Sequence, residues 1–152
     1  MAAAKPRAKP AKRLTYAVTG ASRNAARKTI LNGLKAFNKE VTGPQHWKSF
    51  AVVVNNGAGQ VQGGLSGWMG WGWMYIELFW LPEALRRQGH GSKLMELAEA
   101  EAKRRGCVGM YLNTASFQAP KFYPKLGFKV FAVVDDFPPG HKNYYLIKRF
   151  TG

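Results

Sequence analysis

Seven residues, Arg86-Arg87-Gln88-Gly89-His90-Gly91-Ser92, join an aromatic run (YIELFW) to a strongly helical one (KLMELAEAEAKRR). The start of a helix leaves backbone N–H groups without partners and carries a partial positive charge of about half an electron. Glycines at 89 and 91 let a ligand approach that backbone without meeting a β-carbon. Arg86 and Arg87 add two fixed charges and Ser92 a hydroxyl, and together these parts describe a phosphate or pyrophosphate cradle. Several nucleotide motifs share this physics. A triphosphate loop needs Gly-Lys-Ser or Gly-Lys-Thr, and neither tripeptide occurs in the chain. A dinucleotide fingerprint needs a third glycine where Leu94 stands, and an acid at the end of the next strand, 107–113, which has none.

The elements around the cradle are legible. Residues 74–81 read as a strand, and the helix after the cradle carries an apolar stripe of Leu94, Leu97, Ala98 and Ala102, with Gly106 as its stop. Glu99–Lys103 and Glu101–Arg105 are i,i+4 pairs of favourable order. Upstream, 14–20 alternate like a first strand. Residues 22–39 have helical spacing (Ala26, Ile30, Leu34, Phe37), and the turn-like TGPQ at 42–45 ends them. Two β-branched segments flanking 55–59 predict a hairpin. The segment GWMGWGWM at 67–74 is too rich in glycine for an ordinary central strand. A strand at 107–113, a short helix around 117–125 and strands at 128–134 and 143–150 follow. The order predicts a mixed α/β sheet in one domain spanning 14–152.

Charge and composition narrow the function classes. Of the 152 residues 46% are hydrophobic, and the net charge is +15. Five of the positive charges lie in residues 1–13 among Ala and Pro, which predicts a mobile basic tail able to touch nucleic acid. A nucleic-acid-binding module is therefore one reading of the chain, although no zinc-finger or ribonucleoprotein signature supports it. The lone Cys107 and the scattered His46, His90 and His141 offer no metal cluster, so no metal is expected. No apolar run approaches a membrane span, and the basic start lacks the apolar segment of a secretory signal. A cytoplasmic protein without a membrane partner is expected.

A second stretch bears on the cradle. Residues 116–128 read Ser-Phe-Gln-Ala-Pro-Lys-Phe-Tyr-Pro-Lys-Leu-Gly-Phe. With Arg86-x-x-Gly89-x-Gly91 between strand and helix, this resembles the GNAT superfamily of N-acetyltransferases, over residues 48–150. The resemblance implies a twisted, mostly antiparallel mixed sheet, splayed between strands 74–81 and 107–113 and flanked by helices. It implies acetyl-CoA as co-substrate, with its pantetheine arm against the backbone of Phe79, Trp80 and Leu81. Its pyrophosphate would lie on the N–H groups of Arg87, Gln88, Gly89, His90, Gly91 and Ser92, beside Arg86. Two departures stand out: one extra residue between Pro82 and Arg86, and Ser116 where many members place a cofactor-contacting Asn.

Acetyl transfer to an amine requires that the amine lose a proton, the carbonyl be polarised and the leaving thiolate be protonated. Tyr123 matches the position where the superfamily commonly places a general acid. Glu77, the one acid between Glu40 and Glu83, sits in an apolar strand; burial there would raise its pKa into the range of a general base. Trp68, Trp71 and Trp73 suit a pocket wall, strand packing or contact with a second subunit, and a homodimer fits these features. Asp135 and Asp136 read as a solvated loop. The expected function is transfer of acetyl from acetyl-CoA to a primary amine in a ternary complex. A metabolite, an antibiotic, a polyamine or a protein lysine would serve as acceptor. A non-catalytic acyl-CoA-binding protein is the remaining alternative.

Overall fold

A computed structural model describes residues 14–20 and 24–151. The basic segment 1–13 lies outside the described residues. Two compact units divide the chain between Gly43 and Pro44.

In the first unit, residues 14–20 form no strand. Their alternation supplies apolar side chains but no ladder partner, and Leu14, Tyr16 and Val18 are all exposed. Helix α1, Ala25–Thr42, matches the expected helix in length but lies three residues further along the chain. Asn24 caps it by accepting the Arg27 N–H at 3.0 Å, and Gly43 ends it at φ 73°.

The second unit is a six-stranded sheet in the order β1-β2-β3-β4-β6-β5. The strands are β1 Lys48–Asn55, β2 Val61–Gly70, β3 Trp73–Trp80, β4 Gly109–Ala115, β5 Lys129–Asp135 and β6 Lys142–Arg149. Every neighbouring pair is antiparallel except β3 with β4. Helix α2, His90–Arg104, buries Leu94, Met95, Ala98 and Ala102 in a core with Met74, Ile76, Met110, Leu112 and Leu146. Leu97, expected in that stripe, lies 44% exposed at its rim, and Met95 takes the inward place.

The β3–β4 ladder is short. It runs from Trp73↔Gly109 to Ile76↔Leu112; beyond it β3 continues paired to β2, and β4 continues paired to β6. A wedge therefore opens between residues 77–81 and 113–115, the splay that the resemblance implies. Its cause is local. Ser66 pairs with Leu78 and Gly67 with Ile76, so Glu77 is the extra residue of a β-bulge. The bulge switches the alternation of β3: Met74, Ile76, Phe79 and Leu81 are turned inward, while Leu78 and Trp80 are exposed.

Gly67 makes the bulge possible, because a β-carbon there would lie 1.8 Å from the Tyr75 carbonyl oxygen. The expectation that 67–74 is no ordinary central strand is corrected in part. Residues 67–70 belong to the interior strand β2, and their glycines answer to close approach by neighbours, with Gly70 seated against the Trp47 ring. The positive-φ pair Trp71-Gly72 then turns the hairpin into β3. Gly67→Ala is expected to destabilise the domain by about 2–4 kcal/mol, read as a lower denaturant midpoint, because backbone rather than a side-chain tip must yield.

The predicted helix at 117–125 is absent. Turns fill that span and only Pro124–Leu126 form a 3₁₀ turn. Pro120 and Pro124 lack the N–H groups an α-helical ladder would use, and Gly127 turns away at φ 89°.

Candidate active site

The cradle begins where β3 ends. The extra residue before Arg86 is taken up in a 3₁₀ turn, Glu83–Leu85, closed by bonds from Leu85 N–H to Pro82 O and from Arg86 N–H to Glu83 O. Arg86 donates its Nε–H back to the Leu81 carbonyl at 2.9 Å, and Gln88 donates its side-chain amide to Ala84 O at 2.6 Å. Both side chains thus brace the loop. Arg87 at φ 59° and Gly89 at φ 84° turn the backbone through left-handed conformations immediately before α2. No side chain caps the helix, so the amides of its first turn remain directed outward, and Ser92 is exposed beside them. Unpartnered backbone N–H groups arranged in this way suit an anion.

Three distant stretches converge behind it. Phe79 of β3 stands 5.9 Å from Phe122 and 6.5 Å from Tyr123, measured between ring centres. A β-carbon on Gly91 would lie 3.3 Å from the Phe122 ring and 3.5 Å from Phe79. A side chain at position 91 would therefore press on the Phe122 ring. Tyr123 is 7% exposed, enclosed by Phe79, Phe122 and Phe128, and burial pushes its hydroxyl pKa up to about 12. Its O–H is thus retained throughout the neutral range.

Glu77 departs from the sequence expectation. It is exposed rather than buried, because the bulge carries it away from the inward alternation, and its carboxylate accepts the Trp68 indole N–H at 3.1 Å. Nearby, the Tyr75 hydroxyl donates to Asn113 Oδ1 at 2.8 Å, and the Asn113 amide passes on to Asn143 Oδ1 at 3.3 Å. This chain ties β3, β4 and β6 together where the wedge opens. Burial, with Glu77 next in importance, raises the Tyr75 pKa. Composition and spacing gave no sign of these three residues, which lie far apart in the chain and meet only through strand register.

Ser116 is engaged elsewhere. Its hydroxyl accepts the Lys142 N–H at 3.2 Å and lies 3.3 Å from His141 Nδ1, at the start of β6. The neighbouring Gln118, which no sequence motif marks, accepts through its side-chain oxygen from Thr114 Oγ1 at 3.0 Å and from Ala115 N–H at 2.8 Å, closing the end of β4. The three tryptophans do not form one wall. Trp68 serves Glu77, Trp71 meets Trp47, and Trp73 packs on Tyr111 under Arg149. Asp135 pairs with Lys142 at 2.9 Å in an exposed bridge. Among the described residues no helix is long and apolar enough to cross a membrane.

The wedge, the uncapped helix start and the buried tyrosine suit an acyl-thioester carrier with a pyrophosphate. Residues 12–128 match the Acetyltransferase (GNAT) family model. An acetyltransferase of Agrobacterium fabrum is 35% identical over 125 residues, 82% of this chain and 91% of that protein. The blasticidin-S acetyltransferase of Streptomyces morookaense is 40% identical over 100 residues, 65% of this chain and 74% of that protein. The crystal structure of an acetyltransferase from Agrobacterium tumefaciens superposes with a TM-score of 0.83 at 32% identity, covering 90% of this chain and all of that one. The chain belongs to the GNAT family, and it is an acetyl-CoA-dependent N-acetyltransferase.

Proposed function

We propose that the chain transfers acetyl directly from acetyl-CoA to a primary amine of a small cationic acceptor. The observation that carries this reading is the convergence of Phe79, Gly91, Phe122 and Tyr123 between the wedge and the cradle. Backbone N–H groups of Arg87 to Ser92 hold the pyrophosphate, and the backbone of Phe79 to Leu81 lines the pantetheine path. Ser116 supports the far rim through β6 rather than by side-chain contact. The N–H of Trp80 or Leu81 polarises the thioester carbonyl.

Tyr123 acts on the sulfur. A phenol at about 12 is a weaker acid than an alkyl thiol, so it does not give its proton outright to the leaving thiolate. It donates a hydrogen bond as charge develops on sulfur, and the proton follows to the extent that the same dry surroundings raise the thiol's own pKa. Direct transfer agrees with the state of Cys107, whose buried thiol has its pKa raised by desolvation and makes a poor nucleophile.

On the acceptor side, Glu77 receives the ammonium proton, directly or through water, while Trp68 and Tyr75 offer aromatic surface to the cation. The relative that acetylates blasticidin S supports a small basic acceptor. A cytoplasmic setting accords with a single unpaired cysteine.

The test is an amine screen by CoA release, including blasticidin S, polyamines and a lysine peptide, followed by Glu77→Gln on the best substrate. A small amine should be preferred, with intersecting initial-rate patterns, and Glu77→Gln should lower kcat/KM by about 10²–10³. Parallel patterns would contradict direct transfer, and an unchanged kcat/KM would remove Glu77 from the chemistry.

A further inference from the structure

The hydrogen bonds that join Tyr75, Asn113 and Asn143 across β3, β4 and β6 run in one direction. The Tyr75 hydroxyl donates to Asn113 Oδ1 at 2.8 Å, and Asn113 Nδ2 donates to Asn143 Oδ1 at 3.3 Å. Asn143 is buried, and an amide oxygen can only accept. Turning the Asn113 amide over would set oxygen against oxygen, so its carbonyl stays toward Tyr75. A phenol carries one proton and accepts through its lone pairs. With that proton committed to Asn113, the Tyr75 oxygen is left as an acceptor. Burial first, and the Glu77 charge second, raise the Tyr75 pKa, so the proton stays in place through the neutral range.

The end of the β3–β4 ladder gives this oxygen its place. Tyr75 lies in the ladder opposite Tyr111, and Asn113 is the first residue of β4 past the last pair, Ile76↔Leu112. The hydroxyl therefore reaches the mouth of the wedge. On its other side Tyr75 pairs with Trp68, whose indole N–H is held by Glu77. A carboxylate and a neutral accepting oxygen thus flank one opening.

We infer that the Tyr75 oxygen accepts an N–H of the bound amine and aims its lone pair into the wedge, and that Asn113, fixed by Asn143, is the positioning residue that keeps Tyr75 in this role. The role rests on acetyl transfer to a primary amine with Glu77 as proton acceptor. Once Glu77 has taken one proton from the ammonium, the amine keeps two hydrogens and one lone pair. A hydrogen held by Tyr75 fixes the direction of that lone pair toward the thioester carbonyl. An alcohol that gives its proton to Glu77 has no hydrogen left for Tyr75, so the same oxygen favours nitrogen over oxygen acceptors.

Steady-state kinetics on the best amine from the screen test this on the full chain, with an acetyl-CoA titration and a melting temperature for each variant. Tyr75→Phe keeps the ring that lies 4.9 Å from Tyr111, and it should lower kcat/KM for the amine about ten- to a hundredfold while acetyl-CoA affinity holds. Asn113→Leu should cost about three- to tenfold, and Asn113→Asp, which still accepts from Tyr75, should recover most of that loss. Added to Tyr75→Phe, Asn113→Leu should cost nothing more, because the oxygen it positions is already gone. Full activity in either single variant, or losses that multiply in the double one, would overturn the assignment and leave the role of Glu77 standing, which Glu77→Gln tests separately. A wild type that acetylates no amine would overturn both.

Discussion

Tyr123→Phe is expected to lower kcat by about two to three orders of magnitude while leaving the Kd for acetyl-CoA within about twofold. The ring remains, so the contacts with Phe79, Phe122 and Phe128 that seat the 119–128 turn persist. Only the hydroxyl is lost. In the proposed role its hydrogen bond would strengthen as the thioester breaks, so its removal would fall on the transition state rather than on ground-state binding. The pH profile separates this role from a general base. Tyr123 donates while protonated, and with its pKa at about 12 it stays protonated through pH 10. A decline in kcat/KM on the alkaline side below that pH must come from another group, and Tyr123→Phe should leave its position unchanged. Steady-state kinetics together with a binding titration decide the matter; equal losses in kcat and in cofactor affinity would assign Tyr123 to packing alone.

The sheet and the cradle were legible because each depends on local pattern. The helix from His90 follows from its apolar stripe and ion pairs, and the 86–92 loop follows from glycines and arginines at a strand–helix junction. The wedge was accessible only through family resemblance. Its local cause, the bulge at Glu77 opposite Gly67, depends on the register of two strands, which no single segment encodes. The same register exposed Glu77 and shifted the inward face from Ile76 to Phe79, so a strict alternation that fits the first half of β3 misplaces the second. Residues 14–20 misled in the opposite way: their alternation is real, but a strand requires a neighbour to pair with. At 117–125 the prolines prevent the expected helix. Tyr75, Asn113 and Asn143 form a hydrogen-bonded chain that only the folded sheet assembles.

Gly89→Val is the second large effect expected, and it bears on the account as a whole. Gly89 stands at φ 84° with no protein atom near the position of a β-carbon, so the added side chain meets open space rather than the fold. A β-branched residue resists that φ, however, and must rotate the amides of residues 89–91 away from the anion they would hold. Gly89→Asn, which tolerates the left-handed conformation, provides the comparison. The decisive measurement is a calorimetric titration of coenzyme A into wild type, Gly89→Asn and Gly89→Val, each with its melting temperature. Gly89→Val is expected to weaken binding by about ten- to a hundredfold, roughly 1.4–2.8 kcal/mol, in a protein that remains folded, and Gly89→Asn should lie between it and wild type. Wild-type affinity in folded Gly89→Val would contradict the placement of the pyrophosphate on this loop.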